Sequence, residues 1–258
     1  MSGMRFWKWH ALGNAYLIVE QPDAGALSSV RVRRLCDADT GIGSDGVLEL
    51  VAHGEWGGEV VIWNPDGSVA EMSGNGVRIA ARWLAERHRV DNLVVTSAGR
   101  TVAARMLGGR QAELELGPVL VGDDETVDVD GEPVELVRAS VGNPHAVVRH
   151  PAPTLADLRR LGPALEHHPA FPGRTNVQLV ATATEHVLDV LVWERGAGET
   201  AASGSSATAA AAVAVARGWC RSPVTVRMPG GELTVEVAGG RATLSGPAEE
   251  ICSGETAL

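Results

Sequence analysis

Apolar and polar residues alternate over most of this chain, and only a few stretches switch to helical spacing. "MRFWKWHALGNAYLIVE" (4–20) is apolar on both sides of "HALGN", which predicts two strands joined by a turn at Gly13-Asn14. "SSVRVRRLCDAD" then reads as a helix with Ser28 or Ser29 as its N-cap. "GVLELVAH" and "GEVVIWN" read as strands broken by "GEWGG", and the turn "NPDG" leads into "EMSGNGVRIAARWLAERH". There Val77, Ala80, Ala81 and Leu84 fall at helical spacing, so a helix begins close to Gly74. Strands are expected at "NLVVTSAG", "RTVAARML" and "QAELELG", followed by an acidic loop, "GDDETVDVDGE", and the alternating run "PVELVRASVGNPHAVVRH". The carboxylates of that loop lack the spacing of a calcium loop, so it reads as a solvated turn.

The second half repeats the plan. "LADLRRLGPALEHH" is a helix, "TNVQLVATA" and "EHVLDVLVWERG" are strands, and "ETAASGSSATAAAAVAVARGW" is a turn into a helix. "VTVRMPGGELTVEVAGGRATLSG" closes the chain as a strand meander with turns at its Gly pairs. Asn64 precedes Ser73 by the same interval as Glu194 precedes Ser203. An internal duplication is the economical explanation, and it predicts two like α/β domains, residues 1–117 with 246–258 and residues 118–245.

Composition narrows the function. The 258 residues are 45% apolar and 21% charged, ordinary for a globular protein, and the net charge of −10 argues against nucleic acid or an anionic membrane surface as a partner. The longest apolar run, "ATAAAAVAVA" (207–216), is too short and too alanine-rich to span a bilayer. "MSGMRFWKWH" has no continuous apolar core of a signal peptide, so the cytoplasm is the expected location. Cys36, Cys220 and Cys252 are too widely spaced for zinc ribbons or disulfides, and Cys36 reads as a buried inert thiol. His167-His168 beside Glu166 point in different directions on a helix and read as a solvated helix end rather than a metal site. Lys8 is the single lysine, which argues against a pyridoxal-phosphate Schiff base. Trp7 and Trp9, alternating with Lys8 and His10, form one apolar face of the first strand, for the core or a dimer contact.

Two motifs carry candidate chemistry. "TGIGSDG" (40–46) has dinucleotide-loop glycine spacing, but a helix precedes it and a strand follows, the reverse of a nucleotide fingerprint, so it reads as a structural loop. "EMSGNG" (71–76) and "ETAASGSS" (199–206) each set an acidic residue before a Ser-Gly pair and a helix. Such a helix start offers unpaired N–H groups and the positive end of the dipole to a carboxylate. One serine there is an ordinary N-cap. Two in a duplicated chain suit inversion of a carbon α to a carboxylate, which needs a base on one face, an acid on the other and fixed N–H donors for the enolate.

In their order along the chain, "HALGN", "LCDADTGIGSDG", "NPDGSVAEMSGNGVRIAA", "VGNPHAVV", "TNVQLV" and "ERGAGETAASGSSATAAAAVA" resemble diaminopimelate epimerase over nearly the whole length. The resemblance implies two pseudo-symmetric α/β domains, each a barrel-like, mostly antiparallel sheet around a central helix, with the site in a cleft and no cofactor or metal. It implies cofactor-independent epimerisation of LL-diaminopimelate to the meso form, a step toward lysine and peptidoglycan precursors, in a possible homodimer. It assigns substrate contacts to Asn14, Asn64, Asn143, Asn176 and Arg195, and carboxylate binding to Gly74 and Asn75 on one side and Gly204 and Ser205 on the other. His145 and Glu194 would sit beside the reacting centre. Amide carbonyls for ammonium groups and an arginine for a distal carboxylate suit a diamino diacid. Taken alone, Asn14 and Asn143 are turn residues and Arg195 is a surface charge.

The chain departs from the family where the chemistry is concentrated. The family carries a cysteine at each helix tip, thiolate base and thiol acid; here the residues are Ser73 and Ser203. A thiol has a reference pKa of about 8.5, whereas a serine hydroxyl requires a neighbouring base. Gly46 stands where some members carry a glutamine. The serines are compatible with introduced substitutions that trap substrate, with a natural branch in which His145 or Glu194 shares the proton work, and with a non-catalytic binder or a related one-base isomerase or dehydratase. A racemase or epimerase of another amino acid is the other enzymatic reading.

Overall fold

The computed structural model describes residues 3–70 and 72–258; Glu71 of "EMSGNG" lies outside them. The chain divides into two compact units, Met1–Glu115 with Gly246–Leu258, and Leu116–Ser245.

In the first unit β1 (Met4–Ala11) and β2 (Asn14–Glu20) form a hairpin, and α1 (Gln21–Ala24) and α2 (Ser29–Cys36) follow. The strands β3 (Val47–Gly54) and β4 (Gly57–Trp63) come next, then α3 (Gly74–His88), β5 (Asn92–Ser97), β6 (Arg100–Met106) and β7 (Gln111–Pro118). The hairpin turn is Leu12-Gly13 rather than Gly13-Asn14: both residues have positive φ, and Asn14 already pairs with Ala11 as the first residue of β2. Ser28 caps α2, accepting from Arg31 N.

In the second unit the order is β8 (Leu120–Val129), β9 (Glu132–Ser140), β10 (Pro144–Arg149), α4 (Leu155–Glu166), β11 (Asn176–Thr184), β12 (Val187–Glu194) and β13 (Gly198–Thr200). Then come α5 (Gly204–Ala216), β14 (Val224–Met228), β15 (Gly231–Ala238) and β16 (Arg241–Pro247). The last strand, β17 (Glu249–Thr256), belongs to the first unit and pairs antiparallel with β1. It is exposed along most of its length, with no apolar alternation to announce it.

The acidic segment expected as a loop is strand β8. Asp124 and Asp128 lie on the solvent-facing side, Val127 and Val129 turn into the core with the half-buried Glu125 at the edge of their face, and Asp130-Gly131 make the turn to β9. Charge on one face of a ladder leaves the other free to pack, and composition alone hides that alternation.

The two units repeat one pairing pattern. Parallel β2–β3, antiparallel β3–β4, parallel β4–β5 and antiparallel β5–β6 recur as β10–β11, β11–β12, β12–β14 and β14–β15. The bulge between Leu50 and Ala52 has its counterpart between Thr182 and Thr184.

In each unit the strands wrap one helix. α3 packs on β1 to β6, and α5 on β8 to β12, β14 and β15. Gly204 and the run from Ser206 to Ala214 of α5 are buried, an all-round burial that excludes a polar face and explains its alanines, which let strands approach the helix from every side. The alanines that follow the first turn also give the body of the helix a strong intrinsic helix propensity. α4 lies against β11 to β13 and encloses a second cluster with Leu158, Leu161, Leu165 and Phe171. Among the described residues no helix is long and apolar enough to cross a membrane.

Candidate active site

Because α3 and α5 are buried cores, their first turns are fixed in place. In the first unit Ser73 is the N-cap of α3, extended in backbone, and its Oγ accepts from Gly76 N at 3.0 Å. The next N–H groups, of Gly74 and Asn75, have no acceptor inside the helix by geometry. Tyr16, on β2, brings its hydroxyl to 3.1 Å from Ser73 Oγ.

A directed chain of hydrogen bonds runs past the same turn. Arg78 Nη2 donates to Asn75 Oδ1 at 3.0 Å, Asn75 Nδ2 to Asn14 Oδ1 at 3.2 Å, and Asn14 Nδ2 to Asp45 Oδ2 at 3.2 Å. It starts on a cation and ends on an anion, so both amides are locked in orientation. Arg78 is 0% exposed, its Nε donates to Pro247 O, and Nη1 has no hydrogen-bond partner among the described residues. Burial lowers its pKa to about 10, which leaves it charged at neutral pH. Asn64 stands apart from this chain: its Nδ2 donates to Ser68 Oγ and stabilises the "NPDGS" turn.

The second unit holds the other predicted residues in two groups. His145 is 1% exposed; its Nδ1 accepts from Gln178 Nε2 at 3.1 Å and its Nε2 donates to Asn143 Oδ1 at 2.9 Å. That is the neutral tautomer, and burial lowers the ring's pKa to about 3. Gln178 also donates to Ser206 Oγ, which ties β11 to the first turn of α5. In the second group Asn176 Nδ2 donates to Pro144 O and its Oδ1 accepts from Arg195 N at 2.9 Å, while Arg195 Nη1 donates to Gly173 O. Glu194, the last residue of β12, has its carboxyl pKa raised by desolvation.

Ser203 is the N-cap of α5, is 5% exposed and makes no side-chain cap. Its Oγ meets Ser205 Oγ at 3.5 Å, a weak contact.

Several residues of these groups were not singled out from sequence: Tyr16, Asp45, Arg78, Gln178 and Ser206. The duplication is the signal that finds Tyr16, which follows Asn14 by two positions as His145 follows Asn143. Glu166 is no solvated neighbour of a histidine pair. It is buried, accepts from Trp193 Nε1 at 2.8 Å and Gly196 N at 2.9 Å, and pins the turn that carries Glu194 and Arg195. In the first unit Glu49 accepts Trp63 Nε1 in the same way, although it comes from a strand.

The "TGIGSDG" loop is structural. Ile42 and Gly43 donate backbone N–H to Leu35 O and Ser44 to Cys36 O, so these donors are committed to the end of α2 rather than to a phosphate. A Cβ on Gly41 would lie 2.1 Å from Arg34 O. Cys36 and Cys220 are buried thiols with raised pKa, and Cys252 is exposed; none stands at a helix start. His167 and His168 close α4 by facing backbone oxygens of Pro163 and Asp128.

Two units of this topology, each with a central helix that opens on a serine, define a fold shared with solved structures. A hydroxyproline epimerase from Agrobacterium vitis superposes with a TM-score of 0.73 at 17% identity, covering 99% of this chain and 92% of its own. A phenazine biosynthesis protein of the PhzF family from Enterococcus faecalis gives 0.75 at 15% identity over 100% of both chains. Sequence comparison is more specific. The profile of the family described as diaminopimelate epimerase matches residues 6–121 and 137–249. A Pseudomonas fluorescens diaminopimelate epimerase is 36% identical over 99% of both chains, and "diaminopimelate epimerase 2" of a Nostoc species is 37% identical over 91% of this chain and 88% of its own. The chain belongs to the diaminopimelate epimerase family.

Proposed function

We propose that this protein binds diaminopimelate and acts at its α-carbon without a cofactor, with LL-diaminopimelate and the meso form as the pair interconverted. Ser73 and Ser203 hold the two proton-transfer positions. Gly74 with Asn75, and Gly204 with Ser205, bind the reacting carboxylate through backbone N–H groups; Asn14, Asn64, Asn143, Asn176 and Arg195 hold the rest of the substrate, and His145 and Glu194 flank the reacting centre. The same reading puts the protein in the cytoplasm, among the enzymes of lysine and peptidoglycan precursor synthesis, as a homodimer.

The observation that carries this reading is the pair of first turns. Each turns toward its N-terminal side N–H donors that have no acceptor within their own helix, at the positive end of that buried helix, and Asn75 at one and Ser206 at the other are held by side-chain hydrogen bonds. His145, neutral at physiological pH, acts as a polar contact and not as a charge for the carboxylate.

A second reading, a non-catalytic binder of a diamino diacid or a racemase of another amino acid, is favoured by one detail. Among the described residues the Ser203 hydroxyl meets a second hydroxyl, at 3.5 Å, and no base of the kind a serine needs. Calorimetry with LL-diaminopimelate, followed by NMR of α-proton loss in heavy water, separates the readings. Binding with exchange supports the first, binding without exchange supports the binder, and no binding overturns the assigned substrate.

A further inference from the structure

Tyr16 is the only tyrosine of the chain and is 6% exposed, yet its hydroxyl sits 3.1 Å from Ser73 Oγ. The space for its ring is made by a second unusual residue. A Cβ on Gly46 would fall 2.6 Å from Tyr16 Cε1 and 2.5 Å from Trp63 O, so the bare α-carbon there admits the aromatic ring. In the second unit the residue two positions after Asn143 is His145, whose two ring nitrogens face Asn143 and Gln178, and Ser203 faces Ser205. Of the two helix-tip serines, only Ser73 is hydrogen-bonded to an ionisable side chain among the described residues.

We propose that Tyr16 is the proton-relay partner of Ser73, so that the pair exchanges the α-proton of the substrate where a lone serine could not. This rests on the reading of Ser73 as a proton-transfer position. In the protonating direction the substrate carbanion takes the Ser73 hydroxyl proton with its own electron pair. As that O–H bond breaks and the Cα–H bond forms, the Tyr16 O–H bond breaks and a new Ser73 O–H bond forms. The negative charge ends on the phenolate oxygen; abstraction is the reverse. No alkoxide accumulates, and the base strength required is that of a phenol, with a reference pKa of about 10, instead of an alkoxide. The Gly76 N–H on Ser73 Oγ and the helix dipole favour the anionic character that passes through that oxygen.

The relay exists in one unit only, which predicts exchange at one face: in heavy water, α-deuterium enters diaminopimelate faster than the centre inverts. Tyr16→Phe removes one oxygen and should lower exchange at least about 100-fold, with calorimetric affinity little changed. Exchange in the native chain should climb with pH toward the phenol range, and the climb should vanish in Y16F. Gly46→Ala, which alters neither hydroxyl, should also lower exchange by displacing the ring.

A spectroscopic arm does not depend on turnover. With one tyrosine in the chain, near-ultraviolet tyrosinate absorbance titrates Tyr16 alone, and Ser73→Ala should raise its midpoint by removing a donor to the phenolate. An unmoved midpoint overturns the pairing. Exchange undiminished in Y16F, or binding without any exchange in the native chain, overturns the relay and leaves the assigned substrate standing. Failure to bind diaminopimelate overturns that assignment and the relay with it.

Discussion

The two helix starts share a pairing pattern and a residue spacing but differ in how they are held. At α3 the serine caps its own helix, touches a phenol and neighbours a hydrogen-bonded chain that begins on a buried arginine. At α5 the serine caps nothing, and the position matching Arg78 is Thr208, whose Oγ1 donates to Gly204 O within the helix. The α5 start is held instead by burial all round and by Gln178 reaching Ser206. A duplicated backbone keeps its geometry through burial of the central helix, which leaves each first turn free to take different polar partners.

The largest effect should come from erasing the chemical difference between the tips. Ser73→Cys with Ser203→Cys should raise epimerisation of diaminopimelate about 10²–10⁴-fold, because a thiol can both lose and supply the proton; a steady-state assay that finds no rise breaks the functional reading of both tips.

Next in size, Arg78→Leu should destabilise the fold by roughly 2–4 kcal/mol in denaturant unfolding, since Asn75 Oδ1 and Pro247 O lose their donor. Thr208→Val should cost under about 1 kcal/mol, because only one short bond within its own helix is lost. Equal costs would mean that the buried cation is no anchor.

His145 gives a smaller, pH-dependent contrast confined to the second unit. Its folded pKa lies near 3, below the ordinary 6.5, so the unfolded chain binds the extra proton between these values. The stabilising contribution is complete above 6.5 and is lost as pH falls below it, at no more than about 1.4 kcal/mol per pH unit. Melting followed from pH 7 to 4 should fall less steeply in His145→Gln; parallel curves would show that the ring is not buried neutral.

The smallest test addresses the caps directly. Ser73→Ala should cost about 1 kcal/mol, the usual loss of an N-cap, whereas Ser203→Ala should stay within a few tenths because no cap bond exists to lose. A reversed order would mean that α5, and not α3, depends on its N-cap serine.

Much of the fold was legible because it rests on local periodicity. The helix from Gly74, the helix from Gly204, the alternating strands and the repeat of Asn64–Ser73 as Glu194–Ser203 are all patterns of side-chain spacing. β8 and β17 were not legible as strands, one because acidic residues masked its buried valines and the other because it is exposed along most of its length. Their strand state depends on the partners β9 and β1.

The sequence by itself determined the duplication, the two Ser-Gly helix starts and the family resemblance, since each is written in residue order and spacing. Tertiary structure decided which side chains meet. Arg78 reaches Asn75 along its own helix and His145 reaches Asn143 two positions away, but the Asn75–Asn14–Asp45 chain, the Gln178–His145 bond and the indole bonds to Glu49 and Glu166 join separate elements of the chain. Tyr16 beside Ser73 is the sharpest case: a hydrogen bond across 57 positions arises only when β2 is packed against the start of α3, and only where Gly46 leaves room for the ring.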